Sequence, residues 1–144
     1  MKNSNRQLRK LHILLVDNDP QAREKVQQAL GNGFYLRFAR SLDEARRCLE
    51  EYMPDVLVCE VMLPGASGLE VCRQIRLSPA LRHLPIMLLT SLSTIQDKIA
   101  GFDAGADDYV VKPFDARYLT ARLRLLSRLK HLEAGLPGAF SRDL

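Results

Sequence analysis

The sequence predicts a single α/β domain of the doubly wound type, in which five helices cover a five-stranded parallel sheet. Five short apolar segments alternate along the chain with five segments of helical periodicity. The inner apolar segments carry almost no polar residues, which is typical of strands buried on both faces. The chain has 144 residues, of which 47% are hydrophobic, so it has material for one core and not for two ordinary domains.

Each predicted strand is a short apolar run that stops at a charged or turn-forming residue. The second run alternates in part and contains Arg37, which favours an edge strand. The other runs are almost continuously apolar and favour inner positions. The predicted strands are 11–16, 34–39, 55–59, 85–90 and 109–111.

Apolar residues at helical spacing fill the segments between these strands. Ser41 is the predicted N-cap of the second helix, with Glu44 at the capping-box position. Glycines after residues 30 and 104 end the first and fourth helices. The apolar positions place the helices at 22–30, 42–52, 69–75, 95–102 and about 115–134.

Charge and hydropathy exclude several classes of protein. The net charge of +4 comes from basic residues near the two ends, at 2–10 and 117–130, and does not form the dense basic face of a nucleic-acid binder. No apolar run is long enough to span a bilayer, and no signal-peptide core precedes Leu11. We therefore expect a cytoplasmic protein, with no membrane contact and no nucleic-acid binding by this segment.

The three cysteines are predicted to be small core residues. Cys48, Cys59 and Cys72 are odd in number and lack the close paired spacing of zinc sites or redox dithiols.

Polar residues follow the inner strands at the point where each strand ends. Asp17 and Asn18 follow the first strand and Glu60 the third, while Thr90 ends the fourth and Lys112 follows the fifth. Because the carboxyl ends of parallel strands meet at one edge of the sheet, these side chains should converge there. Two carboxylates, a hydroxyl and an ammonium are too polar a set for an ordinary core. The sequence therefore predicts a functional site at this edge.

Four motifs in order resemble the receiver domains of two-component response regulators. They are ILLVDNDP at 13–20, PDVLVCEVMLPGASG at 54–68, PIMLLTS at 85–91 and GADDYVVKPF at 105–114. The resemblance implies a flavodoxin-like sheet with strand order 2-1-3-4-5. It covers about residues 11–130, which leaves an N-terminal extension at 1–10 and a helix end with a tail or linker at 131–144.

The resemblance also implies a role for each residue at the carboxyl edge. In the family, an Asp after the third strand accepts a phosphoryl group from a histidine of a partner kinase, and two acidic residues hold Mg²⁺. Asp17 matches the first acidic residue and Lys112 the family lysine. Thr90 matches the hydroxyl that grips the phosphoryl oxygens, and Tyr109 matches the aromatic switch residue.

Two residues depart from the family pattern. Glu60 stands at the phosphoacceptor position, and Asn18 replaces the second acidic residue. The extra methylene of Glu60 moves its carboxylate outward by about 1.5 Å, and in-line transfer is sensitive to displacements of about 1 Å. Asn18 offers an oxygen without charge, so we predict Mg²⁺ binding that is weak or absent. We predict a phosphorylation-independent signalling module, not an enzyme, in which Glu60 reaches Lys112 directly.

Several alternatives stay open at this stage. Glu60 could stand in for an acyl phosphate by engaging Thr90 and Lys112, or the site could be inert and the domain a scaffold. Residual phosphotransfer, to Asp17 for example, is a third alternative. A metal-dependent phosphoryl-transfer enzyme or hydrolase with Asp17 and Glu60 as metal ligands is the rival function. A nucleotide-binding loop is disfavoured, because residues 17–20 after the first strand contain no glycine.

The last helix carries two adjacent apolar stripes. One stripe can face the sheet, and the other then faces solvent or a second chain. Beyond about residue 128 the helix is expected to outrun the domain. The resemblance implies an output domain C-terminal to this region, a histidine kinase or other signalling protein as partner, and a homodimer through the last helices. The stripes are Leu119, Leu123 and Leu126, and Tyr118, Leu125, Leu129 and Leu132.

Overall fold

The computed structural model describes residues 9–134, with side chains through residue 129. Most of the predicted N-terminal extension, 1–10, and of the predicted tail, 131–144, therefore lies outside the described residues. The part of the tail that is described, 131–134, has no described side chains. None of the helices within 9–134 is both long and apolar enough to cross a bilayer. The strands are β1 (Leu11–Val16), β2 (Phe34–Ala39), β3 (Val56–Cys59), β4 (Ile86–Thr90) and β5 (Asp108–Val111). The helices are α1 (Pro20–Leu30), α2 (Leu42–Glu51), α3 (Gly68–Leu77), α4 (Ile95–Asp103) and α5 (Ala116–Ala134).

The sheet confirms the predicted architecture. Its five strands are all parallel and lie in the order β2-β1-β3-β4-β5. The strand containing Arg37 is at one edge, as its partial alternation predicts, and β5 is at the other. The strand order reverses at β1, so the carboxyl ends of β1 and β3 flank the position where ligands of such sheets bind.

Two apolar layers hold the helices against the sheet. Alternate residues of each inner strand point to opposite faces, so that Ile13 and Leu15 lie in one layer while Leu14 and Val16 lie in the other. Full burial of one leucine or isoleucine side chain stabilises the fold by about 1.5–3 kcal/mol. The layer under α1 and α5 includes Val26, Leu30, Leu119, Leu123 and Leu126. The layer under α2 and α3 includes Ala45, Val71, Cys72 and Ile75.

The cysteines follow this layering. Cys59 and Cys72 are fully buried, whereas Cys48 is only partly buried. Burial raises the pKa of the Cys72 thiol to about 11 and raises that of Cys59 well above its ordinary value. Both buried thiols therefore stay protonated at neutral pH and behave as small apolar residues, as predicted.

The ends of α2 differ from the prediction. Ser41 caps the helix as expected, because its hydroxyl accepts the Glu44 N–H at 3.2 Å. The Glu44 carboxylate accepts the N–H of Arg40 and not that of the cap, so the capping box is incomplete. The helix ends at Glu51, and Tyr52 is an extended C-cap residue rather than the last member of the apolar stripe.

Helix α4 forms where predicted, but the apolar residues that mark it face outward. Ile95, Ile99 and Phe102 are 70%, 54% and 48% exposed. Gly101 is instead buried on the inner side of the helix. Apolar spacing alone thus identifies this helix without identifying its buried side.

Candidate functional site

Backbone hydrogen bonds carry the sheet one residue beyond the ends of three strands. The N–H of Asp17 donates to Ala39 O at 2.9 Å. The N–H of Glu60 donates to Val16 O at 2.9 Å, and that of Lys112 to Thr90 O at 2.8 Å. These bonds fix the three charged side chains at the carboxyl edge of the sheet, as the sequence predicts.

Lys112 joins the two acidic residues. Its Nζ donates to Asp17 Oδ2 at 2.8 Å and to Glu60 Oε1 at 2.9 Å. Asp17 and Glu60 are only 2% and 6% exposed. Charge-assisted bonds of this length are strong, and the two bonds compensate part of the cost of burying the carboxylates. We call Asp17, Glu60 and Lys112 the carboxyl-edge cluster; its formal net charge is −1 when all three groups are ionised.

Backbone amides hold the remaining carboxylate oxygens of the cluster. The N–H of Asp19 donates to Asp17 Oδ1 at 2.9 Å, and the N–H of Met62 donates to Glu60 Oε2 at 3.0 Å. Each of the four carboxylate oxygens therefore accepts one hydrogen bond. The Glu60 side chain is fixed at both oxygens, one on Lys112 and one on the loop after β3.

The cluster also determines the ionisation of Lys112. Burial is the largest single effect and acts to lower the pKa of its ammonium group, but the hydrogen bonds that it donates to Asp17 and Glu60, together with the charges of these carboxylates, outweigh burial and raise that pKa above its ordinary value. Lys112 is therefore a cation at neutral pH.

The backbone of Leu92 connects Thr90 with Tyr109. Thr90 is fully buried, and its Oγ1 accepts the Leu92 N–H in a long bond of 3.4 Å. The Tyr109 hydroxyl donates to Leu92 O at 2.8 Å, and the Tyr109 side chain is turned inward, with only 9% of the residue exposed. Burial raises the pKa of the Tyr109 phenol, and the charges of Asp97 and Glu60 raise it further. The phenol is a proton donor at neutral pH.

The structure does not bring all of the predicted site residues together. Within residues 9–129, Thr90 makes no hydrogen bond to Glu60, and Asn18 is exposed beside the cluster. The same residues contain no group of three His, Cys, Asp or Glu side chains that could hold a metal ion. An open depression of about 590 Å³ lies between α1 and residues 112–116.

Three residues near the site are not singled out by the sequence. Met62 and Leu92 act through backbone atoms, which carry no residue-specific signal. Gly68 lets α3 approach the loop after β3, since a Cβ at this position would overlap the carbonyl oxygen of Glu60. The glycine is visible in the sequence, but the close approach that requires it is not.

Comparisons with known proteins agree with this arrangement. The family model of the response regulator receiver domain matches residues 13–124. Response regulator MprA of Mycobacterium ulcerans is 43% identical over 124 residues, which are 85% of this chain and 53% of that protein. The chain thus spans about half the length of this relative.

Solved structures give the same result. A crystal structure described as a response regulator of Chloroflexus aurantiacus is 38% identical, with a TM-score of 0.80 over 83% of this chain and 99% of that one. The BeF3-activated N-terminal receiver domain of Klebsiella pneumoniae RstA is 32% identical, with a TM-score of 0.75 over 81% and 98% of the two chains. The strand order, the converging polar residues and these matches lead to one conclusion: the chain belongs to the response regulator receiver domain family.

Proposed function

We propose that this receiver domain signals through protein–protein contact without phosphorylation of Glu60. The observation that carries the proposal is the hydrogen bond of 2.9 Å between Glu60 Oε1 and Lys112 Nζ, made by a carboxylate that is almost completely buried. Receiver domains are in general signalling modules rather than enzymes. In this one, we infer, the negative charge that phosphorylation introduces elsewhere in the family is supplied in part by the longer acidic side chain.

The geometry of Glu60 disfavours its use as a phosphoryl acceptor. Transfer requires a carboxylate oxygen to attack phosphorus in line, with the reacting atoms about 3–3.5 Å apart. Both oxygens of Glu60 already accept hydrogen bonds, from Lys112 and from the N–H of Met62. The extra methylene also places the carboxylate about 1.5 Å further into the space that an incoming phosphoryl group needs.

The donor set fits Mg²⁺ poorly. Receiver domains generally bind Mg²⁺ at the phosphorylation site, and this ion favours carboxylate ligands. Asp17 and Glu60 share the ammonium of Lys112, and the exposed Asn18 contributes no charge. We therefore propose that Mg²⁺ binding is weak or absent, and we assign the ion no part in the function.

The resemblance to receiver domains implies that a phosphoryl group draws the Thr90 hydroxyl inward and frees space for the ring of Tyr109. The buried position of Tyr109 therefore supports a signalling-competent conformation over an inert site. Its ring is buried and its hydroxyl is bonded to Leu92 O, and the pKa of the phenol is raised by burial first and then by the charges of Asp97 and Glu60. We propose that Glu60 holds the domain in this conformation through Lys112. Thr90 does not engage Glu60 in the described residues, so the proposed mimicry of an acyl phosphate is partial.

Incubation with acetyl phosphate and Mg²⁺, followed by intact mass measurement, tests the proposal. The parent is expected to stay unmodified, because hydrogen bonds hold both oxygens of Glu60 and the extra methylene places the carboxylate in the space that an incoming phosphoryl group needs. The Glu60→Asp/Asn18→Asp variant should gain one phosphoryl group, with a new carboxylate O–P bond and release of acetate. Glu60→Asp alone should gain it more slowly, since it lacks the second acidic residue.

Glu60→Gln/Asn18→Asp is the matched control, because it restores the acidic residue but has no acceptor carboxylate at residue 60; it should stay unmodified. Phosphorylation of the parent at Glu60 or Asp17 would contradict the proposal. Sustained release of phosphate from excess acetyl phosphate by the parent would instead support the rival enzymatic function.

Partner contacts follow from the surface of α5. Leu119 and Leu123 are fully buried against the sheet, whereas Tyr118 and Leu129 are 52% and 51% exposed. The side chain of Leu132 lies outside the described residues. We propose that the receiver domain spans 11–130. Its proposed partners are an upstream histidine kinase or other signalling protein and a C-terminal output domain. We further propose that the exposed Tyr118 and Leu129, with the partly buried Leu125 between them, form a homodimer interface on α5.

Sedimentation equilibrium should therefore detect a dimer of the parent whose dissociation constant rises at least tenfold in Leu129→Ser. Leu77→Ser is a suitable control, because Leu77 is an even more exposed leucine, at 81%, on α3. Equal association of the parent and Leu129→Ser would exclude this stripe as the interface.

A further inference from the structure

Helix α4 contains a glycine where helix stability favours another residue. Gly101 lies inside Ile95–Asp103 and is buried. Glycine inside a helix is less stable than alanine, because its backbone loses more conformational freedom on folding. The absence of a side chain at this position therefore needs a local cause.

The cause is the ring of Tyr109. A Cβ on Gly101 would lie 3.0 Å from both Cδ2 and Cε2 of this ring and 2.8 Å from Leu88 Cδ1. Carbon atoms pack best at about 3.5–4.0 Å, so one of these groups would have to move. Leu88 is fully buried in β4, directly beside Tyr109 in the sheet register. Tyr109 is on the edge strand β5 and is the group that can move toward solvent.

We propose that Gly101 forms the seat of the Tyr109 ring beneath α4, and that the size of residue 101 determines whether Tyr109 is buried or exposed. The bare backbone of Gly101 permits the buried position, in which the Tyr109 hydroxyl reaches Leu92 O. Gly101 is thus a positioning residue for the switch. The inference rests on the proposed function only for the signalling role of Tyr109, since the seat itself is defined by packing.

The seat also links the switch to the outer surface of α4. Phe102 follows Gly101, is 48% exposed, and has its ring centroid 6.4 Å from that of Tyr109. A ring that leaves the seat would change the packing beneath the exposed apolar residues of this helix. A partner that contacts α4 would therefore meet a different surface when the Tyr109 ring is buried beside Gly101 and when it is exposed.

Fluorine NMR of the chain labelled with 3-fluorotyrosine tests the seat directly. The chain has four tyrosines, so at most four signals are expected, and Tyr109→Phe assigns the one from Tyr109. In the parent, the change in chemical shift of this signal between H₂O and D₂O should be small, as expected for a buried ring. In Gly101→Ala it should increase at least twofold, while the other three signals stay unchanged. Gly33→Ala is the matched control, because its added Cβ would meet only Arg124 Nη2, at an ordinary 3.4 Å.

A double-mutant cycle measured by thermal unfolding separates the effect of the Tyr109 ring on stability from that of Leu88. Gly101→Ala should lower Tm despite the better helix propensity of alanine, and the loss should be smaller or reversed in a Tyr109→Ser background. An equal loss in both backgrounds, or an unchanged Tyr109 signal in Gly101→Ala, would overturn the inference. If Gly101→Ala fails to fold, recovery of folding in Gly101→Ala/Tyr109→Ser supports the seat, and failure of both variants overturns it.

The same NMR signal in Glu60→Gln distinguishes this inference from the proposed function. If Tyr109 is exposed in Glu60→Gln but stays buried in Gly101→Ala, the proposed role of Glu60 is supported and the proposed role of Gly101 is contradicted. If Tyr109 is exposed in Gly101→Ala but stays buried in Glu60→Gln, the role of Gly101 is supported and the control of Tyr109 by Glu60 is contradicted.

Discussion

Replacement of Lys112 by methionine is expected to lower the free energy of unfolding by about 3 kcal/mol at pH 7, near the lower end of the cost of removing one partner from a buried ion pair. The side chains of Asp17 and Glu60 are 3% and 7% exposed and both bond to this ammonium. Without it, two buried carboxylates would face each other with no cation between them. Urea denaturation followed by circular dichroism measures the loss.

Two further variants test this explanation. Lys25→Met replaces an exposed lysine of α1 and should change the stability by no more than about 0.5 kcal/mol. Lys112→Met/Glu60→Gln should recover part of the loss, because one of the unpaired charges is then absent. A loss below about 1 kcal/mol in Lys112→Met would mean that water screens the carboxyl-edge cluster as it screens a surface ion pair.

The contribution of Lys112 to the free energy of unfolding should also depend on pH and should fall at high pH. Its folded-state pKa is raised above the ordinary value of 10.5. A raised pKa means that the folded state binds the proton more tightly, so the stabilisation is complete below the unfolded-state pKa and is lost as pH rises through the folded-state value. The difference in stability between the parent and Lys112→Met should therefore be equal at pH 7 and pH 9 and should narrow above about pH 10.5.

Gly68→Ala is the second substitution with a large expected effect, a destabilisation of about 3 kcal/mol, at the upper end of the usual cost of overpacking. A Cβ at residue 68 would overlap the carbonyl oxygen of Glu60 and lie 2.9 Å from both Glu60 C and Val61 Cα. These are backbone atoms, which cannot rotate away. The N–H of Gly68 also donates to Val61 O at 2.8 Å, so α3 must shift relative to the loop that follows β3.

Gly65→Ala provides the contrast, because it lies in the same loop but has open space around it. Its φ of +84° makes an added Cβ unfavourable, with nothing within 4 Å of that atom. The expected cost is about 1 kcal/mol, from backbone strain alone. Equal losses in Gly65→Ala and Gly68→Ala would show that the close approach of α3 is not what constrains residue 68.

Sequence patterns predict much of the fold because strands that are buried on both faces consist almost entirely of apolar residues. The run Leu11–Val16 is apolar on both sides of the strand, and its predicted bounds coincide with β1. Helix α4 shows the limit of this reasoning. The buried residue on its inner side is Gly101, which has no side chain, while Ile95 and Ile99 face solvent. A glycine that makes room for a neighbouring ring has no hydrophobic signal, so periodicity identified the helix but not its packing.

The candidate site was predictable in part for a similar reason. The converging strand ends place Asp17, Glu60 and Lys112 together, and the predicted contact of Glu60 with Lys112 is present. The roles of Met62 and Leu92 could not be predicted, because their peptide groups make the contacts. The engagement of Thr90 by Glu60 was one of the alternatives, and the structure has Thr90 bonded to Leu92 instead.

The peptide at Leu92 has a consequence for how the protein tolerates change. Its N–H meets Thr90 and its carbonyl meets Tyr109, so the connection uses atoms that nineteen of the twenty amino acids supply. The Leu92 side chain packs against the core layer under α2 and α3, so another apolar residue of similar size can replace it while both contacts persist. Proline alone removes the N–H that bonds to Thr90, so it is the one substitution at residue 92 that abolishes this contact whatever the side chain contributes to packing.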